Sequence, residues 1–212
     1  KSYLPRTALH ILTNGRTFSD DAFARALGSL NHHDLMLGIP IYSDLSHIHD
    51  YVVQADGAFD ETMRGILNLK RHGVRVEVRV VLHKQTVTRL PELATFLARN
   101  LLFVDHVALM GLEIMGFTRA NLDSLWVDPD DYRSELTEAI GILDRARMRV
   151  SLYNAQLCLT DRSIWRFAKR SISDWKQKYM PECDGCTLQE DCGGFFASAI
   201  HRYSDRIRPI AA

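Results

Sequence analysis

All four cysteines of the chain, Cys158, Cys183, Cys186 and Cys192, fall in its last third. They are spaced C-x24-C-x2-C-x5-C and followed at once by Gly193-Gly194. The N-terminus carries no secretion signal, so disulfides are not expected, and a C-x2-C pair then points to metal or redox chemistry. Cys183 and Cys186 can serve one centre because a tight turn carries both sulfurs to the same side. Glycines after Cys192 let backbone N–H groups approach sulfur with no side chain in the way. A structural zinc site with four thiolates would use this inventory, and so would an iron–sulfur cluster. Spacing alone leaves both open.

Such a centre needs a scaffold. Residues 1–153 alternate apolar β-rich runs with amphipathic helical stretches. The runs cover 7–13, closed by the turn dipeptide Asn14-Gly15, then 34–42, 74–82, 104–112 and 148–153. A helix capped at Ser19 presents Phe23, Ala26, Leu27 and Leu30 on one face. Another begins near Asp60, carries Met63, Ile66, Leu67 and Lys70 along one side, and stops at Gly73. Leu90, Leu93, Phe96 and Leu97 mark a third, stopped by Asn100. Asp128-Pro129 opens a fourth, with Tyr132, Leu136, Ile140 and Leu143 toward a core.

Strands separated by helices of this length imply parallel βαβ units. Four or five of them cannot close an eight-stranded barrel. They fit an open sheet, or an α/β partial (β/α) barrel whose first units are missing. Lys1 is not a start methionine, and a strand-like run follows within a few residues. We therefore expect an incomplete chain and the partial barrel. Residues 154–212, where the helical alternation stops, form a small Cys-rich extension. Ligands of either fold bind beyond the carboxyl ends of the strands, which places Asn14, Ser43, His83 and Glu113 near an active site.

Composition bounds the partners. The chain has 212 residues, 46% of them hydrophobic and 25% charged, with 26 basic against 26 acidic side chains. These are globular proportions, and zero net charge argues against nucleic acid as the main partner. No stretch of apolar residues is long enough to span a membrane. The expectation is a soluble, cytoplasmic chain. Basic residues within 162–178, interleaved with Trp165 and Trp175, are read as a solvated helical face packed on the barrel. His47 and His49, two apart in a loop, are a weak metal-binding pair among nine histidines.

Pro181-Glu-Cys-Asp-Gly-Cys-Thr-Leu-Gln-Glu-Asp-Cys-Gly-Gly194, preceded by Ile172-Ser-Asp-Trp175, resembles the C-terminal extension of peptide-modifying radical S-adenosylmethionine (SAM) enzymes. Leu9-His-Ile-Leu-Thr-Asn-Gly15 resembles the third barrel strand of that superfamily. The stretch from Asp50 to Lys70, with Gly57-Ala-Phe-Asp60, resembles the segment after its fourth. Tyr153-Asn-Ala-Gln-Leu-Cys158, Arg170-Ser-Ile-Ser-Asp-Trp175 and Cys192-Gly-Gly-Phe-Phe-Ala-Ser198 are most similar to the HxsC family of radical SAM maturases, which belongs to the His-Xaa-Ser peptide modification system.

The resemblance implies an auxiliary [4Fe–4S] cluster, with Cys183, Cys186 and Cys192 among its ligands. If Cys158 joins them, every iron is thiolate-bound, which favours electron transfer or a structural role; without it one iron stays open. It also implies SAM, a second [4Fe–4S] cluster, and a 5′-deoxyadenosyl radical acting on a His-Xaa-Ser repeat peptide beside a second radical SAM protein. Asn14, Ser43, His83 and Glu113 would contact cofactor or substrate. The departures are that neither the Cys-x3-Cys-x2-Cys motif nor Gly-Gly-Glu-Pro occurs here, both expected upstream of Lys1, and that Thr86 stands where relatives often carry Asn. The alternative is a non-catalytic peptide-binding module with a structural zinc site.

Overall fold

A computed structural model of the chain describes residues 7–170 and 176–211. The five β-rich runs become strands β1 (Leu9–Leu12), β2 (Leu35–Pro40), β3 (Arg75–Leu82), β4 (His106–Gly111) and β5 (Val150–Tyr153). A sixth, β6 (Ala168–Lys169), follows. All six form one sheet in the order β1-β2-β3-β4-β5-β6, and every pairing is parallel. Strictly sequential order is that of a barrel wall, whereas a doubly wound sheet reverses its order part-way. The expected α/β partial barrel is the fold observed. Its wall runs past residue 153, because β6 pairs with β5 inside the stretch assigned to the extension.

Eight helices accompany the described strands: α1 (Asp21–Ser29), α2 (Ser46–Val53), α3 (Ala58–Arg71), α4 (Lys84–Val87), α5 (Leu90–Asn100), α6 (Phe117–Ala120), α7 (Leu122–Leu125) and α8 (Arg133–Arg145). Alternation along each strand divides the wall. Leu35, Leu37 and Ile39 of β2, Val76, Val78 and Val80 of β3, Val107 and Leu109 of β4, and Leu152 of β5 share a buried core with helix residues such as Leu93, Leu97, Leu136 and Ile140. At roughly 25 cal/mol per Å² of apolar surface removed from water, this layer is the main stabilising contribution. The opposite face of the strands is the inner face of the barrel.

Two helices present different sides from those expected. In α1 the cap is Asp20, whose Oδ1 accepts the Ala22 N–H at 2.9 Å. Ala24 is the residue fully buried there, while Phe23 and Leu30 are about half exposed. In α3 the inward side is Ala58, Thr62, Ile66 and Leu69, and Leu67 is exposed. Polar anchors turn the helix. Thr62 Oγ1 donates to the Asn14 carbonyl at 3.1 Å, and Asn68 Nδ2 donates to the carbonyls of Phe18 and Ser19. Gly65 lies so close to the Gly15 carbonyl that a side chain there would collide. Gly73, at φ 73°, ends the helix as expected.

The extension has its own small core of Leu159, Met180, Phe195, Ala199 and Ile207, against which Cys158, Cys183 and Tyr203 pack. A short antiparallel pair, β7 (Gln177–Lys178) with β8 (Phe195–Phe196), crosses it. The described part of the basic stretch is helical only at its start. Residues Arg162–Phe167 form a 3-10 turn with Ile164 buried, and β6 follows directly. Trp165 is tied down by its indole N–H to the Leu157 carbonyl at 3.1 Å. Trp175, the Ile172-to-Trp175 motif and Lys1 lie outside the described residues. No helix among the described residues is long and apolar enough to cross a membrane.

Candidate functional site

Strand β5 ends in the chain reversal that brings the cysteines to the barrel. Asn154 takes a left-handed conformation, φ 50°, and Cys158 sits in a 3-10 turn, Leu157–Leu159. The Arg133 guanidinium fixes that turn, donating to the carbonyls of Cys158 and Leu159 at 3.1 Å each. Gln156 Nε2 ties it to the Gly194 carbonyl at 2.8 Å. The backbone of Asn154 and Ala155 is pinched between two glycines. A Cβ on Gly111 would stand 2.6 Å from the Asn154 oxygen, and one on Gly193 would stand 2.8 Å from the Ala155 oxygen.

All four cysteines are half-buried free thiols. Cys183 feels the charges of Cys192, Cys158 and Cys186, so the four lie within electrostatic range of one another. Burial pushes the Cys183 and Cys192 thiols up, and the neighbouring sulfurs add to the rise. Gly194 N–H points at Cys192 Sγ at 3.4 Å, the approach expected of a glycine there, and Ile210 N–H points at Cys186 Sγ at 3.4 Å. Four soft sulfurs with backbone N–H donors behind two of them suit a thiophilic metal centre, whose charge would offset the cost of ionising them. Among the described residues, no three His, Cys, Asp or Glu side chains close into a cage for a single ion.

The rim residues stand at the carboxyl ends of the strands. Asn14 is exposed and its Oδ1 accepts the Arg16 N–H at 3.1 Å, an Asx turn. Ser43 is buried; its hydroxyl accepts the Leu45 N–H at 3.1 Å and donates to Asp44 at 3.3 Å. Asp44 in turn holds Arg89 through two bonds of 2.9 and 2.7 Å. His83 caps α4: its Nδ1 accepts the Gln85 N–H at 3.2 Å, and Nε2 meets Thr86 Oγ1 at 3.1 Å. Burial drops its pKa to about 4, so the ring is neutral at pH 7. Glu113 pairs with Lys176 of the extension at 3.2 Å. His47 and His49 are not brought together as ligands. His49 is buried against Tyr42 and Phe59, its Nδ1 accepting the Tyr42 N–H, whereas His47 is exposed.

The inner face carries polar residues that no sequence motif had marked. His10, Glu77, Arg79, His106, Ser151 and Tyr153 alternate with core residues on their strands and face one another across the wall. His106 Nδ1 lies 2.7 Å from Glu77 Oε2, and Nε2 lies 2.9 Å from Ser151 Oγ. The other Glu77 oxygen has His10 Nε2 at 3.4 Å and Arg79 Nε at 3.6 Å. Burial alone would raise the Glu77 pKa, but the His106 hydrogen bond, with His10 and Arg79, brings it below the usual carboxylate range. Gly38 makes room for this cluster, since a Cβ there would strike Leu12, Arg79 and His10. The signal was present in β3, where Arg75, Glu77 and Arg79 alternate with valines. A half-buried strand with charges on its second face must have charged or wet surroundings there.

Comparison with known proteins adds the frame. No family model and no curated protein sequence matches the chain. Solved structures do. Streptococcus suis SuiB bound to S-adenosylmethionine superposes with a TM-score of 0.53 at 13% identity, covering 77% of this chain and 36% of SuiB. A second SuiB structure gives 0.52 at 14% identity, over 71% and 33%. Native anSMEcpe, solved with bound AdoMet and Cp18Cys peptide, gives 0.52 at 15% identity, over 68% of this chain and 40% of that one. The chain shares the α/β partial-barrel fold of these neighbours. It spans between a third and two fifths of the length of these neighbours. At such identities the likeness is one of fold, and function has to be argued from the site. In parallel (β/α) barrels ligands enter at the carboxyl ends of the strands, where the rim residues and the thiol lobe meet.

Proposed function

We propose that this chain is the barrel wall and auxiliary-cluster lobe of a radical SAM peptide maturase of the His-Xaa-Ser system, part of a longer enzyme. The carrying observation is the joining of two features: a sequential parallel barrel wall, and four free thiols gathered beyond the end of β5 with N–H groups of Gly194 and Ile210 behind two of them. The exposed edge strand supports a longer parent. Leu9, Ile11 and Leu12 of β1 are 36%, 43% and 63% exposed, and among the described residues no strand pairs with its outer edge.

Cys158, Cys183, Cys186 and Cys192 would hold the auxiliary cluster, and Asn14, Ser43, His83 and Glu113 frame the mouth. When bound, SAM and its own cluster supply the radical chemistry. The residues of this chain position and shield. Arg133 and Gln156 fix the turn that carries Cys158, and the Glu113–Lys176 pair fastens the lobe to the end of β4. Tetrahedral zinc, with Zn–S bonds of about 2.3 Å, needs its sulfurs within roughly 4 Å of one another. A cluster spreads its thiolates over separate irons, and the resemblance of the C-x2-C-x5-C-Gly-Gly run to auxiliary-cluster extensions supports that choice.

The test is anaerobic reconstitution of the chain with iron and sulfide in competition with zinc. About four irons and four sulfides per chain, with the visible chromophore lost in Cys158→Ala, is the expected result. One tightly bound zinc and no iron would replace this reading with a zinc-stabilised peptide-binding module. A His-Xaa-Ser repeat peptide should bind in preference to its scrambled counterpart; equal binding would remove the His-Xaa-Ser assignment.

A further inference from the structure

A cavity of about 60 Å³ lies between the end of the wall and the thiol lobe. Leu82, which ends β3, and Gly111, which ends β4, line it together with Ile114, Leu136, Asn154 and Phe195. Leu82 and Leu136 belong to the core between the wall and its helices, so the cavity is on the helix side of the wall. It stands apart from the proposed auxiliary centre and from the rim: none of the four cysteines, and none of Asn14, Ser43, His83 and Glu113, lines it. Buried apolar side chains with a small number of polar ones are the make-up of a ligand site. One of those polar groups is unspent. Asn154 is 4% exposed, and its side-chain Nδ2 is buried with no hydrogen-bond partner. The other buried polar side chains of the lining are engaged. Gln156 Nε2 donates to the Asn154 and Gly194 carbonyls, Thr160 Oγ1 donates to the Leu157 carbonyl, and Ser204 Oγ accepts the Arg206 N–H. A buried donor left over in this way calls for an acceptor from outside the chain.

We propose that this cavity binds a small neutral acyl group, an amide or ketone of a few carbons whose carbonyl oxygen accepts from Asn154 Nδ2. The donor is held ready for it. Asn154 sits at φ 50° with its backbone clamped between Gly111 and Gly193, and its own carbonyl is taken by Gln156. Leu82, Ile114, Leu136 and Phe195, each at most 4% exposed, pack the carbons of the guest. Charge decides the class. Tyr132 lines the same cavity, and burial together with the negative charge of buried Asp128 pushes its phenol well above the usual range. The single basic side chain of the lining, Arg202, is exposed. It lies over the half-buried Trp126 ring at 4.2 Å and pairs with Asp123 at 3.3 Å. A carboxylate would therefore enter as an unpaired charge beside an acidic neighbour, whereas a neutral carbonyl would not. The volume admits a group of a few heavy atoms, whether a free molecule or the tip of a side chain.

Asparagine- and tryptophan-selective ¹⁵N labelling of the 212-residue chain reads the site, with Asn154→Gly and Trp126→Phe assigning the two resonances. Propionamide should shift the Asn154 side-chain amide and the Trp126 indole together and saturably. The expected Kd is in roughly the millimolar range, the reach of a ligand with so few atoms. In Asn154→Gly, where glycine suits the left-handed backbone, the Trp126 response should weaken by about tenfold or more. Asn154→Asp, which keeps the shape and removes the donor, serves where the glycine variant does not fold. Propionate should bind about tenfold more weakly than propionamide. A Gly-Gln-Gly peptide that competes with propionamide assigns the guest to a side-chain carboxamide, and one that does not assigns it to a free amide. No saturable shift with propionamide, the Asn154 amide contacting water alone, would overturn the proposal and leave a water-filled void. Equal affinity in Asn154→Gly would overturn it too, and propionate binding as tightly as propionamide would overturn the neutral class.

Discussion

Gly111→Ala tests whether the thiol lobe is seated by backbone contact with the barrel. Gly111 is the last residue of β4, and an added Cβ would stand 2.6 Å from the Asn154 carbonyl oxygen, where ordinary contact begins near 3.4 Å. The end of β5 would have to yield by roughly 0.8 Å. It has little freedom to do so, because Gly193 packs against Ala155 from the other side. Overpacking of this kind costs about 1–3 kcal/mol, partly offset by the ~0.5–1 kcal/mol gained when alanine replaces glycine in a strand. A net loss of about 1–2 kcal/mol lowers the Tm of a chain this size by roughly 2–8 °C. Differential scanning calorimetry measures it, with Gly141→Ala as the control. There the Cβ meets only the flexible end of Arg145, in mid-helix, so that Tm should rise. Alkylation of Cys158, three residues beyond Ala155, should speed up in Gly111→Ala. A Tm equal to or above that of the unsubstituted chain, with unchanged alkylation, would refute the seating argument.

Two further outcomes are expected. His83, with a folded pKa of about 4 against an ordinary value of 6.5, is neutral in the fold where the unfolded chain is already protonated. Its contribution is complete above pH 6.5 and is lost as pH falls toward 4, by about 3 kcal/mol. Denaturant titrations across that window should flatten in His83→Asn, which keeps a cap for α4; an unchanged acid limb would disprove the assignment. Tyr179 Oη accepts from Gln177 and lies within donating distance of the Gln189 and Cys192 carbonyls, at 2.8 and 3.1 Å. Tyr179→Phe should cost about 1 kcal/mol and slow iron incorporation without abolishing it, as followed by the visible chromophore during reconstitution.

Legibility followed the range of the interaction. Strand positions could be read because alternation is local: valines at 76, 78 and 80 announce a wall whether or not the helices are known. Asn14-Gly15, Gly73 and Asp128-Pro129 were legible for the same reason, each being a backbone requirement met within a few residues. The inward sides of α1 and α3 were not. Thr62 and Asn68 turn α3 through bonds to carbonyls 48 to 50 positions away, and hydrophobic spacing is blind to that. β6 is two residues long, too short for any period, and α2 lies in a stretch that serine and histidine make loop-like. The thiol spacing pointed to metal or redox chemistry and left zinc and iron–sulfur open, whereas the Glu77–His106 and His106–Ser151 contacts span 29 and 45 positions. Only the charges alternating along β3 hinted at them.

The sequential strand order also sets how the molecule can be made. Each strand pairs with the one before it, so during synthesis every new βα unit finds its docking edge already in place and need not wait for a distant segment. Cys158 emerges as the wall is being completed, while Cys183, Cys186 and Cys192 leave the ribosome only after β6. The complete thiol set therefore comes into being on a finished template, so that loading of the proposed metal centre would be a late event in biogenesis. A chain arrested before residue 183 would present a formed wall and one solitary thiol.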